Sequence, residues 1–265
     1  MGPNADKRSW FLAGADEERV HDLHWAMSDP RVRGILAIRG GYGTIRLLPY
    51  LNWRAFRRNP KVIVGMSDIT ALQVAALRHG VVTFAGPMLA FGRHVGFSPW
   101  ATSRLWEAVG GGEAAVDLSQ APDDPPPVTI TTGVARGPLV GGNLTTLLSL
   151  MATPWELSFR GCIVVLEDVG EAPYRVDRML TQFALSGRLC GIAGFALGRF
   201  HECSKESETE VIDVVAERIG SLGVPTLYGL PLGHQRDVAT WPQGCMAELD
   251  TTRQSLRVVE TGVLP

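Results

Sequence analysis

Hydrophobic and polar positions follow two rhythms along this chain. "DEERVHDLHWAMSD" (Asp16 to Asp29) carries apolar residues at helical spacing, whereas "GILAI" (Gly34 to Ile38) is a short unbroken apolar run that reads as a buried strand. "TIRLLPYL" predicts a short helix, "KVIVG" a strand and "ITALQVAALRHG" a helix. "VVTFAG" is strand-like, and "PWATSRLWEAVG" is again helical. The strands are continuous rather than alternating and each is followed by a helix, which predicts a parallel sheet covered on both faces.

The pattern breaks at "GGGEAAVDLSQAPDDPPP" (Gly110 to Pro127), a stretch rich in glycine, proline and acid that reads as a linker. Beyond it, "VTITTGVARGPLVGG" predicts paired strands and "NLTTLLSLM" a helix. "CIVVLED", the helix "APYRVDRMLTQFALSG", "GIAGFALGRF" and the helix "ETEVIDVVAERIGSLG" follow, with short strands at "MAELD" and "SLRVVE". The expected organisation is two α/β domains, residues 1–112 and 128–265, joined by a linker over 113–127.

Composition narrows the function more than the fold. A chain of 265 residues suits one large or two modest domains. With 45% hydrophobic residues, 20% charged and a formal net charge of −2, there is no electrostatic case for nucleic acid or an anionic membrane as partner. No apolar run approaches the roughly 18 residues that a bilayer requires. The polar start "MGPNADKRSW" lacks a signal-peptide core, so a cytoplasmic location is expected. Cys162, Cys190, Cys203 and Cys245 lie far apart and form neither a zinc knuckle nor a disulfide framework.

Three places carry candidate chemistry. Ser67, in "GMSD" between a strand and a helix, is a natural helix N-cap, with Asp68 well placed in the first turn. It also suits a nucleophile at a sharp strand-to-helix turn, with Gly65 two positions before it and Ile69 where a second glycine is usual. In "AIRGGYGTIRL", Gly40, Gly41 and Gly43 offer exposed N–H groups. Arg46 occupies the third glycine position of a dinucleotide fingerprint, leaving a tight turn or half of an oxyanion hole. "VVLEDVGE" sets Glu167 and Asp168 at the carboxyl end of an apolar strand, and "GLPLGHQRD" sets His234 in a glycine-flanked loop. His21 with His24, and His201 with Cys203, are poor metal pairs, and no cofactor is implied. Serine, carboxylate and histidine in that order are the parts of a serine hydrolase.

The ordered set "AIRGGYGTIRLLPYL", "KVIVGMSDITALQ", "FAGPML", "GPLVGGNLTTLLSLMATPW", "VVLEDVGEAPYRVDRMLTQF" and "GLPLGHQRD" resembles the LD-carboxypeptidases, serine peptidases of bacterial murein recycling, and the related microcin C immunity peptidases. The resemblance implies a Ser67–His234–Glu167 triad and an oxyanion hole from the backbone N–H groups of Asp68 and Gly41. It implies removal of a terminal D-alanine from murein peptides, with no metal or organic cofactor. Arg39 is a candidate for the substrate's terminal carboxylate, and Tyr42, in the same turn, is a second candidate substrate contact. The implied fold is a flavodoxin-like, class I glutamine amidotransferase-like N-terminal domain with a smaller α/β domain, in a homodimer. Against that pattern the first β-α unit is missing, so an inactive binding relative is an alternative expectation. An immunity-type peptidase acting on aminoacyl-nucleotide conjugates is another, with Trp155 and Trp241 as its aromatic surface.

Overall fold

The computed structural model describes residues 1–91, 94–111, 116–204 and 210–263. The first part runs α1 (Asp16–Ser28), β1 (Gly34–Leu36), α2 (Trp53–Arg58), β2 (Val62–Gly65), α3 (Thr70–Arg78), β3 (Phe84–Ala85), β4 (Ala90–Phe91), β5 (His94–Val95) and α4 (Pro99–Val109). The second runs β6 (Val116–Asp117), β7 (Val128–Thr131), β8 (Val134–Asn143), α5 (Leu144–Ser149), β9 (Ile163–Val169), α6 (Pro173–Leu185), β10 (Gly194–His201) and α7 (Val211–Arg218). It closes with β11 (Thr226–Leu230), β12 (Trp241–Pro242), β13 (Met246–Asp250) and β14 (Ser255–Val258). This is a mixed α/β fold with two principal sheets, ordered β1-β2-β3-β12 and β6-β14-β13-β8-β9-β10-β11-β7.

β1, β2 and β3 are parallel, as their unbroken apolar runs predict, and β12 closes the sheet antiparallel to β3. In the larger sheet β8 to β11 are parallel. The sides of β9 show why: Val164 and Leu166 enter one core cluster, Ile163 and Val165 the other, so the strand is apolar on both faces. Helix α3 lies between the two sheets. Its residues Thr70 to Ala76 are all buried, which accounts for its lack of a polar stripe. α6 is amphipathic and turns Val176, Leu180 and Phe183 inward, where Phe183 meets Phe159 edge-on at 5.4 Å.

Some expectations need correction. The strands in "VTITTGVARGPLVGG" are not partners of each other. β8, carrying the buried run from Leu139 to Asn143, takes the centre of the sheet between β9 and β13. The more exposed β7 pairs antiparallel with β11 at the sheet's edge. "TIRLLPYL" forms two 3₁₀ turns, Thr44–Arg46 and Leu48–Tyr50, with Pro49 inside the second. Helix α2 and strand β11 have no counterpart in the periodicity reading. Residues 113–115 of the expected linker lie outside the described residues, and Val116–Asp117 within it pairs with β14. Glu208 and Thr209, the expected start of a helix, also lie outside them; α7 begins at Val211.

Candidate active site

β2 ends at Gly65, Met66 is fully extended, and Ser67 turns into the left-handed region at φ +63°. A non-glycine residue held there costs about 1–3 kcal/mol, a strain typical of functional turns. The 3₁₀ turn Ser67–Ile69 then leads directly into α3. Neither segment begins with a side-chain cap, so capping is not what Ser67 does. Glycine is required at position 65 by space: a Cβ there would lie 2.9 Å from Ile69 Cγ2 and 3.0 Å from Ala37 Cβ. Below the elbow, Gln73 Nε2 donates to the carbonyls of Gly65 (2.8 Å) and Phe84 (2.7 Å), clamping β2 to β3.

The glycine turn packs onto this elbow. A Cβ on Gly40 would stand 2.8 Å from Ser67 Cβ, 3.0 Å from its Oγ and 3.5 Å from the backbone nitrogen of Asp68. Gly41 has φ +94° and open space around its Cβ position. Buried Asp68 accepts two hydrogen bonds on Oδ2, from Thr44 N (2.8 Å) and Thr44 Oγ1 (2.6 Å). Arg39 is exposed, and Tyr42 is exposed beside Phe11, their ring centroids 5.9 Å apart.

On the opposite wall, His234 Nδ1 meets Glu167 Oε2 at 2.6 Å, with both side chains buried. Burial draws the imidazole pKa down. The hydrogen bond to Glu167 and the negative charges of Glu167 and Asp168 outweigh it, and the net shift is upward. Asp168 is fully engaged: Oδ1 accepts from Asn143 Nδ2 (2.8 Å) and Val169 N (2.9 Å), and Oδ2 from Thr145 N (2.9 Å) and Thr145 Oγ1 (2.8 Å). Asn143 also caps α5 through Thr146 N (3.0 Å) and donates its own N–H to Thr70 Oγ1 (3.2 Å), joining β8 to α3.

Between the walls lies a cavity of about 290 Å³, open mouth included, lined by Ser67, Thr70, Glu167, Gly233 and Trp241 among others. Ser67 and Glu167 are thus brought to one cavity, and His234 follows Gly233 in its wall. Arg39 and Tyr42 do not line it. Sequence reasoning passed over Thr70, Gln73 and Asn143, and weighed Gly40 only for its N–H group. Only Asn143 carried a local signal, an Asn before "LTT" in the cap position of a helix. Among the described residues no group of three His, Cys, Asp or Glu is placed to hold a metal. A strained-elbow serine thus shares one cavity with Glu167, the hydrogen-bond partner of His234.

Residues 1–86 match the LD-carboxypeptidase N-terminal domain and residues 136–249 the LD-carboxypeptidase C-terminal domain. The murein tetrapeptide carboxypeptidase of Pseudomonas aeruginosa is 35% identical over 96% of this chain and 84% of its own. The crystal structure of muramoyltetrapeptide carboxypeptidase from Oxalobacter formigenes superposes with a TM-score of 0.82 at 33% identity, covering 96% of this chain and 86% of that one. The microcin C7 self-immunity protein MccF of Escherichia coli, in complex with aspartyl sulfamoyl adenosine, shares the fold. Its TM-score is 0.90 at 23% identity, over 99% of this chain and 86% of that one. This chain belongs to the LD-carboxypeptidase family and is a hydrolase of the serine carboxypeptidase kind.

Proposed function

We propose that this protein removes the terminal D-alanine of murein tetrapeptides, with Ser67 as nucleophile, His234 as general base and Glu167 as the carboxylate that orients it. The observation that carries the reading is the buried Glu167–His234 pair on the wall of the cavity that also receives strained Ser67. His234 takes the Ser67 proton as Oγ attacks the carbonyl preceding the D-alanine, then returns it to the departing amine. Water releases the acyl group by the same route in reverse. The N–H groups of Asp68 and Gly41 meet the oxyanion, where a single such donor is worth about 3 kcal/mol. Arg39 and Tyr42, exposed at the glycine turn, meet the part of the substrate outside the cavity, Arg39 taking its terminal carboxylate.

The reading includes a division into residues 1–112, a linker at 113–127 and residues 128–265, the first of flavodoxin-like kind, with the active site where they meet. Homodimerisation and a cytoplasmic location rest on the family resemblance, and light scattering tests the first. For the aminoacyl-nucleotide alternative, an open aromatic face is needed; Trp241 is only 3% exposed and Trp155 packs against the core, which favours the murein peptide.

The direct test is mass spectrometry of a murein tetrapeptide incubated with the protein and with Ser67→Ala. Loss of one alanine with the parent alone is the expected result; equal loss with both, or with neither, refutes the assignment.

A further inference from the structure

We propose that the Asp68 side chain is a positioning residue for the proposed oxyanion site, holding the glycine turn against the Ser67 elbow through Thr44. This rests on the serine-hydrolase reading and deepens it. The elbow supplies one N–H, that of Asp68 itself, and a second donor has to come from a separate piece of chain. That piece is Arg39 to Gly43. Before it, the Ile38 carbonyl accepts from Ala90 N at 2.7 Å; after it, the Gly43 carbonyl accepts from Arg46 N at 3.2 Å and Arg19 Nη2 at 3.2 Å. Between these anchors Gly41 and Gly43 take φ +94° and +121°, and Tyr42 rests beside Phe11.

The bonds to Asp68 tie the turn to the elbow itself. Both land on Oδ2, from the backbone N–H and the hydroxyl of Thr44, and the carboxylate is buried next to the nucleophile in sequence. Displacement of Thr44 moves Gly40 and Gly41 relative to Ser67, where even a Cβ added to Gly40 would stand 3.0 Å from Ser67 Oγ. A misplacement of about 1 Å in such a site costs on the order of 100-fold in rate. Asp68 therefore acts through geometry. What Thr44 requires is an acceptor oxygen, so Asn can stand in for Asp.

Two readouts test this on the full chain: kcat and KM for release of D-alanine from tetrapeptide, and the rate at which a small ethyl fluorophosphonate labels Ser67. Asp68→Ala is expected to lower kcat and the labelling rate by about 100-fold while KM moves less than about 3-fold. Asp68→Asn is expected to restore both to within about 10-fold of the parent, and Thr44→Val to fall between. If Asp68→Ala does not fold, Thr44→Val compared with Thr44→Ser carries the same test. Unchanged kcat and labelling in Asp68→Ala, a change confined to KM, or an Asn variant as slow as the Ala variant overturns the proposal. A parent that labels but leaves the tetrapeptide intact refutes the substrate only, and labelling then decides the role of Asp68. A parent that does neither overturns both.

Discussion

Glu167 Oε2 lies 2.6 Å from His234 Nδ1 inside the protein, and this contact, together with the charge of Asp168, outweighs the effect of burial on the imidazole. In the proposed mechanism His234 must be neutral to accept the Ser67 proton, so its raised pKa is expected to put the acid limb of kcat/KM above the usual histidine value of about 6.5. In Glu167→Gln the main upward influence is gone and burial remains, so the limb shifts to lower pH. Activity in that variant is expected to fall by about 10²–10⁴-fold, as when a triad carboxylate is neutralised elsewhere. A pH–rate profile of both proteins checks this; a limb that stays in place refutes the pairing.

The same contact has a stability signature of definite sign. A histidine whose folded pKa is raised stabilises the fold fully below its unfolded value, about 6.5, and loses that contribution as pH rises through the folded value. Urea unfolding should therefore show a larger gap between parent and Glu167→Gln at pH 5.5 than at pH 9. A gap that widens toward high pH contradicts it.

Gly40→Ala tests the contact between turn and elbow. The added methyl would stand 2.8 Å from Ser67 Cβ and 3.0 Å from its Oγ, so turn or nucleophile must shift. We expect kcat to fall at least about 100-fold, with a stability loss of about 1–3 kcal/mol. Gly41→Ala meets open space, and its cost is confined to strain at φ +94°, about 1 kcal/mol. Steady-state kinetics and thermal melts of the pair distinguish a steric effect from a backbone one.

Strain at Ser67 predicts a stability order among inactive variants. Ser67→Ala keeps a side chain at φ +63°, while Ser67→Gly releases it. Ser67→Gly should be the more stable of the two by about 1 kcal/mol, with neither cleaving substrate. Equal melting temperatures would remove the argument for a strained elbow.

Gly198 lies behind the histidine loop. A Cβ there would fall 1.7 Å from the Leu232 carbonyl oxygen and 3.0 Å from Glu167 Cβ, both rigidly placed. Gly198→Ala is expected to cost about 3 kcal/mol or more and to displace the Leu232–His234 segment. Chemical denaturation measures the first and the pH–rate profile the second.

What could be read from the sequence, and what could not, follows from the range of the interactions. Helix α1, strands β2 and β9 and helix α6 announce themselves because each buries a pattern set by local period, as in Val176, Leu180 and Phe183 of α6. β7 and β8 read as partners because they are neighbours in the chain, but burial pairs each with distant strands. At the site, Ser67, Glu167 and His234 stand at a strand end or in a glycine-flanked loop, where chemistry is conventionally sought. Gly40 stands in a glycine turn that signals only its N–H group; the space it leaves for Ser67 is revealed by folded packing alone. Gln73 is similar: a glutamine inside a helix reads as solvated, but its amide holds two strands together.

The pairing of β12 with β3 bears on when the molecule can begin to work. Ser67 is made early, but its sheet remains open along β3 until Trp241 and Pro242 arrive. Gln243 then closes on Gly141, its Nε2 donating to the carbonyl at 2.7 Å. A nascent chain emerges from the ribosome in sequence order, and contacts this distant along it form slowly. Competence of the proposed Ser67 site therefore waits on the synthesis of β12 and Gln243.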